Sequence, residues 1–325
     1  MLPRLVTAAA LAALVLAPAA RALAAPAVVA SIVPIHGLVA SVMEGVGEPH
    51  LLVPPGSSPH NYALRPSDAA ALAGADLVVW VGPALETFLV DAVASRPAGA
   101  PLLTLMEAPG VTLLARRAGG AWQDAHAAEH NEDVLDHNGD VLDHAGAGSE
   151  HAHEGGTDPH IWLDPLNAQA LVHAIGTALA ALDPANAAAY WANVDATRSR
   201  IANLDTTLAG QLAAVQATPF VVFHDAYQYL EVRFSLTALG AIGAEPGQAP
   251  SAQRVADLRR RIVGLGAACV FAEPQFDAGL VETIAEGTGA KIGMLDPEGG
   301  VTPGPRAYDA LMKALVNQLS RCLSG

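Results

Sequence analysis

DPANAAAYWANVDATRSRIANLDTTLAGQLAAV, residues 183–215, is the stretch that decides the architecture. Asp183-Pro184 opens a helical run, and Gly210 is its one internal glycine, so the sequence predicts a single long helix. At about 1.5 Å per residue, such a helix is a stiff connector rather than a flexible linker. The sequence on its two sides reads alike. Upstream, Val28–Ile32 is a short apolar strand and Pro34 to Met43 a helix. His50–Val53 is a second strand, ended by Pro54-Pro55-Gly56. A helix starts at Arg65-Pro66-Ser67-Asp68, with Ser67 or Asp68 near its cap. Leu77–Val81 is a strand, Ala84–Ser95 a helix, Pro101–Leu105 a strand and Pro165–Leu182 a helix. Downstream, Phe220–Phe223 is a strand, followed by a helix after His224 and by extended Thr237–Gly240. A helix bearing Arg254, Arg259, Arg260 and Arg261 comes next, then strand Cys269–Ala272. Helix Ala278–Gly287, strand Lys291–Leu295 and helix Tyr308–Leu323 complete the chain. Short apolar strands alternating with helices predict parallel sheets. The expected fold is therefore α/β: two α/β lobes, 25–182 and 217–325, joined by a long rigid helix over 183–216.

Length and composition agree with that division. The 325 residues suit one large or two medium domains, and 52% hydrophobic with 5% aromatic residues fits a helix-rich globular protein. Arg4, the apolar run Leu5–Pro18 and the small-x-small site Ala22-Leu23-Ala24 form a secretory signal peptide over 1–24. No cysteine follows the cleavage region, so a lipid anchor is not expected. Later apolar segments are broken by charges, Gly or Pro, so no membrane span is expected. The mature protein is then soluble and exported. A net charge of −15 without a basic stripe argues against nucleic acid as a partner. In an oxidising compartment, Cys269 and Cys322 read as a disulfide, with a two-Cys metal site as the alternative.

The charge is concentrated in DAHAAEHNEDVLDHNGDVLDHAGAGSEHAHEGGTDPHIWLDP, residues 124–165, which overlaps a loop read over 118–158. His126, His130, His137, His144, His151 and His153 lie there among ten Asp and Glu counted from Asp124 to Asp158, and no Lys or Arg occurs between Arg117 and Arg198. Imidazoles and carboxylates are the side chains that attract divalent transition metals. DVLDHNG (133–139) is echoed by DVLDHAG (140–146), a duplication too polar for a coiled coil and without the ligand order of an EF-hand. The alternative is a solvated acidic loop.

Other candidate residues follow apolar strands: His60 after His50–Val53, His224 after Phe220–Phe223 and Asp296 after Lys291–Leu295. Open α/β sheets bind ligands beyond the carboxyl ends of their strands. Spacing alone does not join His60, His160 and His224, which are 100 and 64 positions apart. Wider context does. GSSPHNYALRPSDAAALAGADLVVWVGPALETF (56–88), PHIWLDP (159–165), FHDAYQYLEVRF (223–234) and CVFAEPQF with GMLDP (269–297) occur in that order. Together they resemble the zinc-binding component of high-affinity zinc uptake ABC transporters, the ZnuA family, over essentially the mature chain. That family also carries a His- and acid-rich loop before the second motif.

The resemblance implies a cluster A-I solute-binding fold with Zn²⁺ carried between the lobes as transported substrate. It implies a membrane permease as partner, a periplasmic location and no enzymatic role, and we expect a monomer. Carried over by position, the metal ligands are His60, His160 and His224, and the family's disulfide falls on Cys269 and Cys322. Asp296 holds the position of a carboxylate ligand in manganese-binding relatives. Some zinc-binding members place Glu before the first histidine, where this chain has Pro59, so Asp296 or water completes the shell. Three neutral imidazoles suit Zn²⁺, whereas manganese sites prefer more oxygen donors. Asp164 and Asp225, beside ligands, are candidates to orient them, and Glu273 is a candidate for lobe packing or ligand support. The competing readings are a manganese carrier of the same family, a zinc-dependent hydrolase, and an adhesin or metal buffer that uses the same site without transport. Neither an HExxH helix nor a nucleophile elbow is present in the sequence.

Overall fold

A computed structural model describes residues 25–96, 101–117, 156–243, 251–276 and 278–324. The signal peptide and the six histidines His126, His130, His137, His144, His151 and His153 lie outside the described residues.

The apolar strands assemble into two four-stranded parallel sheets. The first contains β1 (Val28–Ala30), β2 (His50–Leu51), β3 (Leu77–Trp80) and β4 (Leu102–Thr104), in the order β2-β1-β3-β4. The second contains β5 (Phe220–Val222), β6 (Ala238–Ala241), β7 (Cys269–Ala272) and β8 (Lys291–Met294), in the order β6-β5-β7-β8. Each half starts in the interior of its sheet, adds an edge strand, then crosses back to the other side. Parallel strands buried on both faces must be apolar throughout, and these alternate between two cores. Val28, Ala30, Leu77 and Val79 enter one apolar cluster, while Val29, Val78 and Trp80 enter another. Phe220, Val222, Cys269 and Phe271 join the first cluster, and Val221 and Val270 enter a third.

The first cluster runs from Val28 to Leu323, so the inner faces of both sheets share one core. Most of its helical part comes from α1 (Val33–Val42), α4 (Pro165–Leu182), α5 (Ala187–Leu212) and α9 (Ala307–Leu323). The predicted connector is α5, 26 residues and about 39 Å long. Its buried side chains Tyr190, Val194, Thr197, Ile201, Leu204 and Leu208 recur every three or four residues, which forms a single stripe. Gly176 of α4 lets α5 approach closely, because a Cβ there would lie 2.3 Å from Val194 Cγ2. Arg200 of α5 donates to Asp309 of α9 and to Ser41 of α1, so polar contacts reinforce the same joint.

The outer faces are covered locally by α2 (Pro66–Ala73) and α3 (Val90–Ala94) on one sheet, and by α7 (Ala252–Leu265) and α8 (Ala278–Ala285) on the other. α6 (Gln228–Phe234) follows the second half's first strand. Several boundaries differ from the sequence expectation. Pro184–Asn186 forms a 3-10 turn before α5, and the Ala84–Ser95 helix reduces to the 3-10 turn Thr87–Leu89 followed by α3. The α2 cap is Arg65, since Pro66 occupies the first helical turn and Asp68 reaches back to the Arg65 N–H. Among the described residues, α4 alone has the length and composition of a membrane span. Its apolar face is spent on the shared core, against α1 and α5.

Cys269 of β7 and Cys322 of α9 are joined as a disulfide across 53 positions. Both sulfurs lie within the shared core, so the bond ties the last helix to the second sheet.

Candidate metal centre

Three segments from distant parts of the chain deliver one histidine each. After β2, the Pro54-Pro55-Gly56 turn leads into a loop in which the His60 N–H donates to Ser58 Oγ at 3.3 Å. His224 stands two residues beyond β5, at the carboxyl edge where β5 and β7 part towards opposite sides of the sheet. Such a switch point is where open α/β sheets leave room for a ligand. His160 arrives from a different device. Ala115 and Thr157 form an isolated antiparallel bridge, flanked by Arg116 N–H to Gly156 O and Asp158 N–H to Leu114 O. That bridge fixes 156–158, and His160 then begins a 3-10 turn, Ile161–Leu163, whose side chains are all buried.

The three Nε2 atoms converge. His160 Nε2 lies 3.4 Å from Nε2 of His60 and 3.4 Å from Nε2 of His224. All three donor atoms fall within 4.8 Å of one another, and no other such group of His, Cys, Asp or Glu occurs among the described residues. A tetrahedral zinc ion with Zn–N bonds of about 2.05 Å separates its nitrogen ligands by about 3.3 Å. The spacing thus matches the edge of a zinc tetrahedron. Three neutral imidazoles are the donor set that ion favours.

Carboxylates hold two of the rings. His160 Nδ1 meets Asp158 Oδ1 at 2.7 Å, and the His160 backbone N–H donates to the same oxygen at 3.0 Å. His224 Nδ1 meets Glu273, at the exit of β7, at 2.8 and 2.7 Å. Each carboxylate selects the tautomer with hydrogen on Nδ1, which directs the Nε2 lone pair to the common centre. Both are 2% exposed, so water does not compete for them. Tyr227 donates to Glu273, and Tyr229 donates to the Asp158 carbonyl.

Electrostatics keep two imidazoles neutral. Burial, reinforced by His160, His224 and Arg116, lowers His60 to about 2. Burial and the neighbouring His224 put His160 well below its ordinary 6.5. Burial also acts to lower His224, but the charge and hydrogen bond of Glu273 outweigh it and hold the ring above 6.5. Burial raises Asp158 to about 6 against the opposing pull of the His160 N–H and Arg117.

The other candidates fall elsewhere. Asp296 is not in the three-histidine group: its Oδ1 accepts from Gln275 Nε2 and from the N–H groups of Glu298 and Gly299. Asp225 does not orient a histidine, because Arg117 binds it and Glu231 together. Asp164 caps α4 by accepting from the Leu166 N–H. His36 is buried with Nε2 on the Pro49 carbonyl, and His173 lies against Trp191. Asp158 is the residue that sequence reading missed. Its signal was local: an acid two residues before a candidate ligand, able to meet both the N–H and the ring of that residue.

The chain is similar to known proteins over nearly its full length. A family model described as zinc-uptake complex component A, periplasmic, matches residues 28–322. The high-affinity zinc uptake system protein ZnuA of Brucella suis biovar 1 is 43% identical over 308 residues, 91% of each chain. The protein of the same name from Paracoccus denitrificans is 42% identical over 300 residues, 92% of each chain. A crystal structure of ZnuA superposes with a TM-score of 0.73 at 25% identity, covering 92% of this chain and 99% of that one.

Proposed function

The chain belongs to the family of periplasmic zinc-uptake components A, and we propose that it is the high-affinity capture protein of a zinc importer. It binds Zn²⁺ between its lobes and delivers it to the membrane permease of an ABC transporter. The observation that carries this reading is the convergence of three buried or half-buried imidazole Nε2 atoms at a zinc-like spacing.

In this reading His60, His160 and His224 are the ligands, Asp158 and Glu273 position the last two, and water completes the shell. Residues 1–24 direct export to the periplasm and are removed. The lobes are 25–182 and 217–325, with 183–216 as the linking helix, and the protein acts as a monomeric solute-binding protein without enzymatic turnover. The histidines of the 118–158 loop supply weaker, exchangeable metal sites. Two neutral imidazoles and one that releases a proton let the ion bind without a large deprotonation cost. The donor set favours zinc over manganese, which prefers oxygen.

Competitive Zn²⁺ and Mn²⁺ titration of the mature protein, with and without residues 124–154, tests the proposal. One tight zinc site that survives loop deletion, with manganese much weaker, is expected. Loss of the tight site with the loop would overturn the assignment. A strain lacking the protein should also grow poorly when zinc is scarce.

A further inference from the structure

The exit of β7 carries two polar side chains with different targets. Glu273 grips His224, whereas Gln275, two residues on, donates from Nε2 to Asp296 Oδ1 at 2.7 Å. The same oxygen accepts from the N–H groups of Glu298 and Gly299, each at 3.1 Å. Three donors saturate a carboxylate oxygen, and Gln275 makes the shortest of the three contacts. Gln275 Oε1 is buried without a hydrogen-bond partner, so the amide is oriented by Asp296 alone. On its other side Gln275 lines a polar cleft of about 380 Å³ with Ser58, Asn61 and Tyr62, from the loop that carries His60. Gln275 therefore stands between the His60 loop and Asp296.

Asp296 lies two residues beyond β8, on the sheet edge that also carries His224 and Glu273. Burial and the charge of Glu273 raise Tyr227, the hydrogen-bond partner of Glu273, and the Asp296 charge adds to that effect. A carboxylate so near would be an anionic oxygen donor if it joined the imidazoles. It would offset one of the ion's two charges and shift preference towards oxygen-favouring ions such as Mn²⁺. We propose that Gln275 is a specificity-determining positioning residue, which holds Asp296 away from the transported ion and so preserves a three-imidazole site. This rests on the reading that His60, His160 and His224 bind that ion.

The test compares wild type, Gln275→Ala and Gln275→Ala with Asp296→Asn, all confirmed folded by thermal melting. Zn²⁺ and Mn²⁺ dissociation constants come from competitive titration, and Co²⁺ loading provides an absorption spectrum. Gln275→Ala should tighten Mn²⁺ relative to Zn²⁺ by about tenfold, the scale of changes around metal ligands. Its Co²⁺ absorption should weaken as an added oxygen raises the coordination number. Both effects should vanish in the double variant. An unchanged Mn²⁺-to-Zn²⁺ ratio in folded Gln275→Ala, or a gain that survives Asp296→Asn, overturns the proposal. Tight zinc binding retained by His160→Ala would overturn the three-histidine reading itself, and this proposal with it.

Discussion

His160 Nε2 lies 3.4 Å from His224 Nε2, although 64 positions separate the two residues. Two bare imidazole lone pairs facing each other at that distance repel, so the pair calls for a cation between them: the proton that His224 carries, or a metal ion in its place. His60→Ala, His160→Ala and His224→Ala should each weaken zinc binding by more than about 100-fold, beyond the 10–100-fold typical of supporting residues. Removing 124–154 should leave the tight site intact. Calorimetric competition at neutral pH measures both.

Zinc affinity should track one proton rather than three. The metal needs an unprotonated Nε2, and His60, at about 2, and His160, well below 6.5, already provide theirs near neutral pH. His224, held above 6.5 by Glu273, must release its proton. Apparent affinity should therefore rise by about one decade per pH unit up to the raised His224 value, then level off. Glu273→Gln should move that break to lower pH and weaken binding at pH 8 by about 10–100-fold. A slope near three in the wild type would contradict this account.

Reduction of the Cys269–Cys322 bond should destabilise the fold more than the site. A closed loop of 53 positions corresponds to about 4 kcal/mol in the chain-entropy model. Cys322→Ser should show a lower melting temperature in the zinc-free protein. Its zinc affinity should stay close to that of the wild type, because neither sulfur touches the histidines.

Glu86 gives a second pH signature, in stability. Its fully buried carboxyl accepts from the N–H groups of Val81 and Gly82 at the exit of β3. Burial pushes it up to about 7, against the opposing pull of the nearby Ser31 hydroxyl and of those backbone hydrogen bonds. The folded state then holds an extra proton between pH 4.5 and about 7, so stability falls as pH rises through that window. The shift of about 2.5 units corresponds to on the order of 3 kcal/mol. Denaturant melts of the zinc-free protein should show a shallower fall over that window in Glu86→Gln than in the wild type.

Local sequence was enough to place the elements and their kinds. Apolar strands, the Pro165 and Asp183-Pro184 helix starts and the long run through Leu212 depend on neighbours within a few positions, so they are legible in one dimension. The motifs around His60, His160 and His224 also identified the three histidines through family resemblance. Small boundary differences, such as the Arg65 cap, arose where Pro66 changed which residue begins the helix. What the local sequence could not decide was which polar groups meet. Arg117 could have paired with many acids, and the fold gave it Asp225 and Glu231. Asp158 and Glu273 became ring partners, while Asp296 was drawn to Gln275 and two backbone N–H groups. Those choices depend on distances between groups up to 114 positions apart. They are set when two sheets dock on one shared layer of helices, and only the tertiary structure contains that geometry.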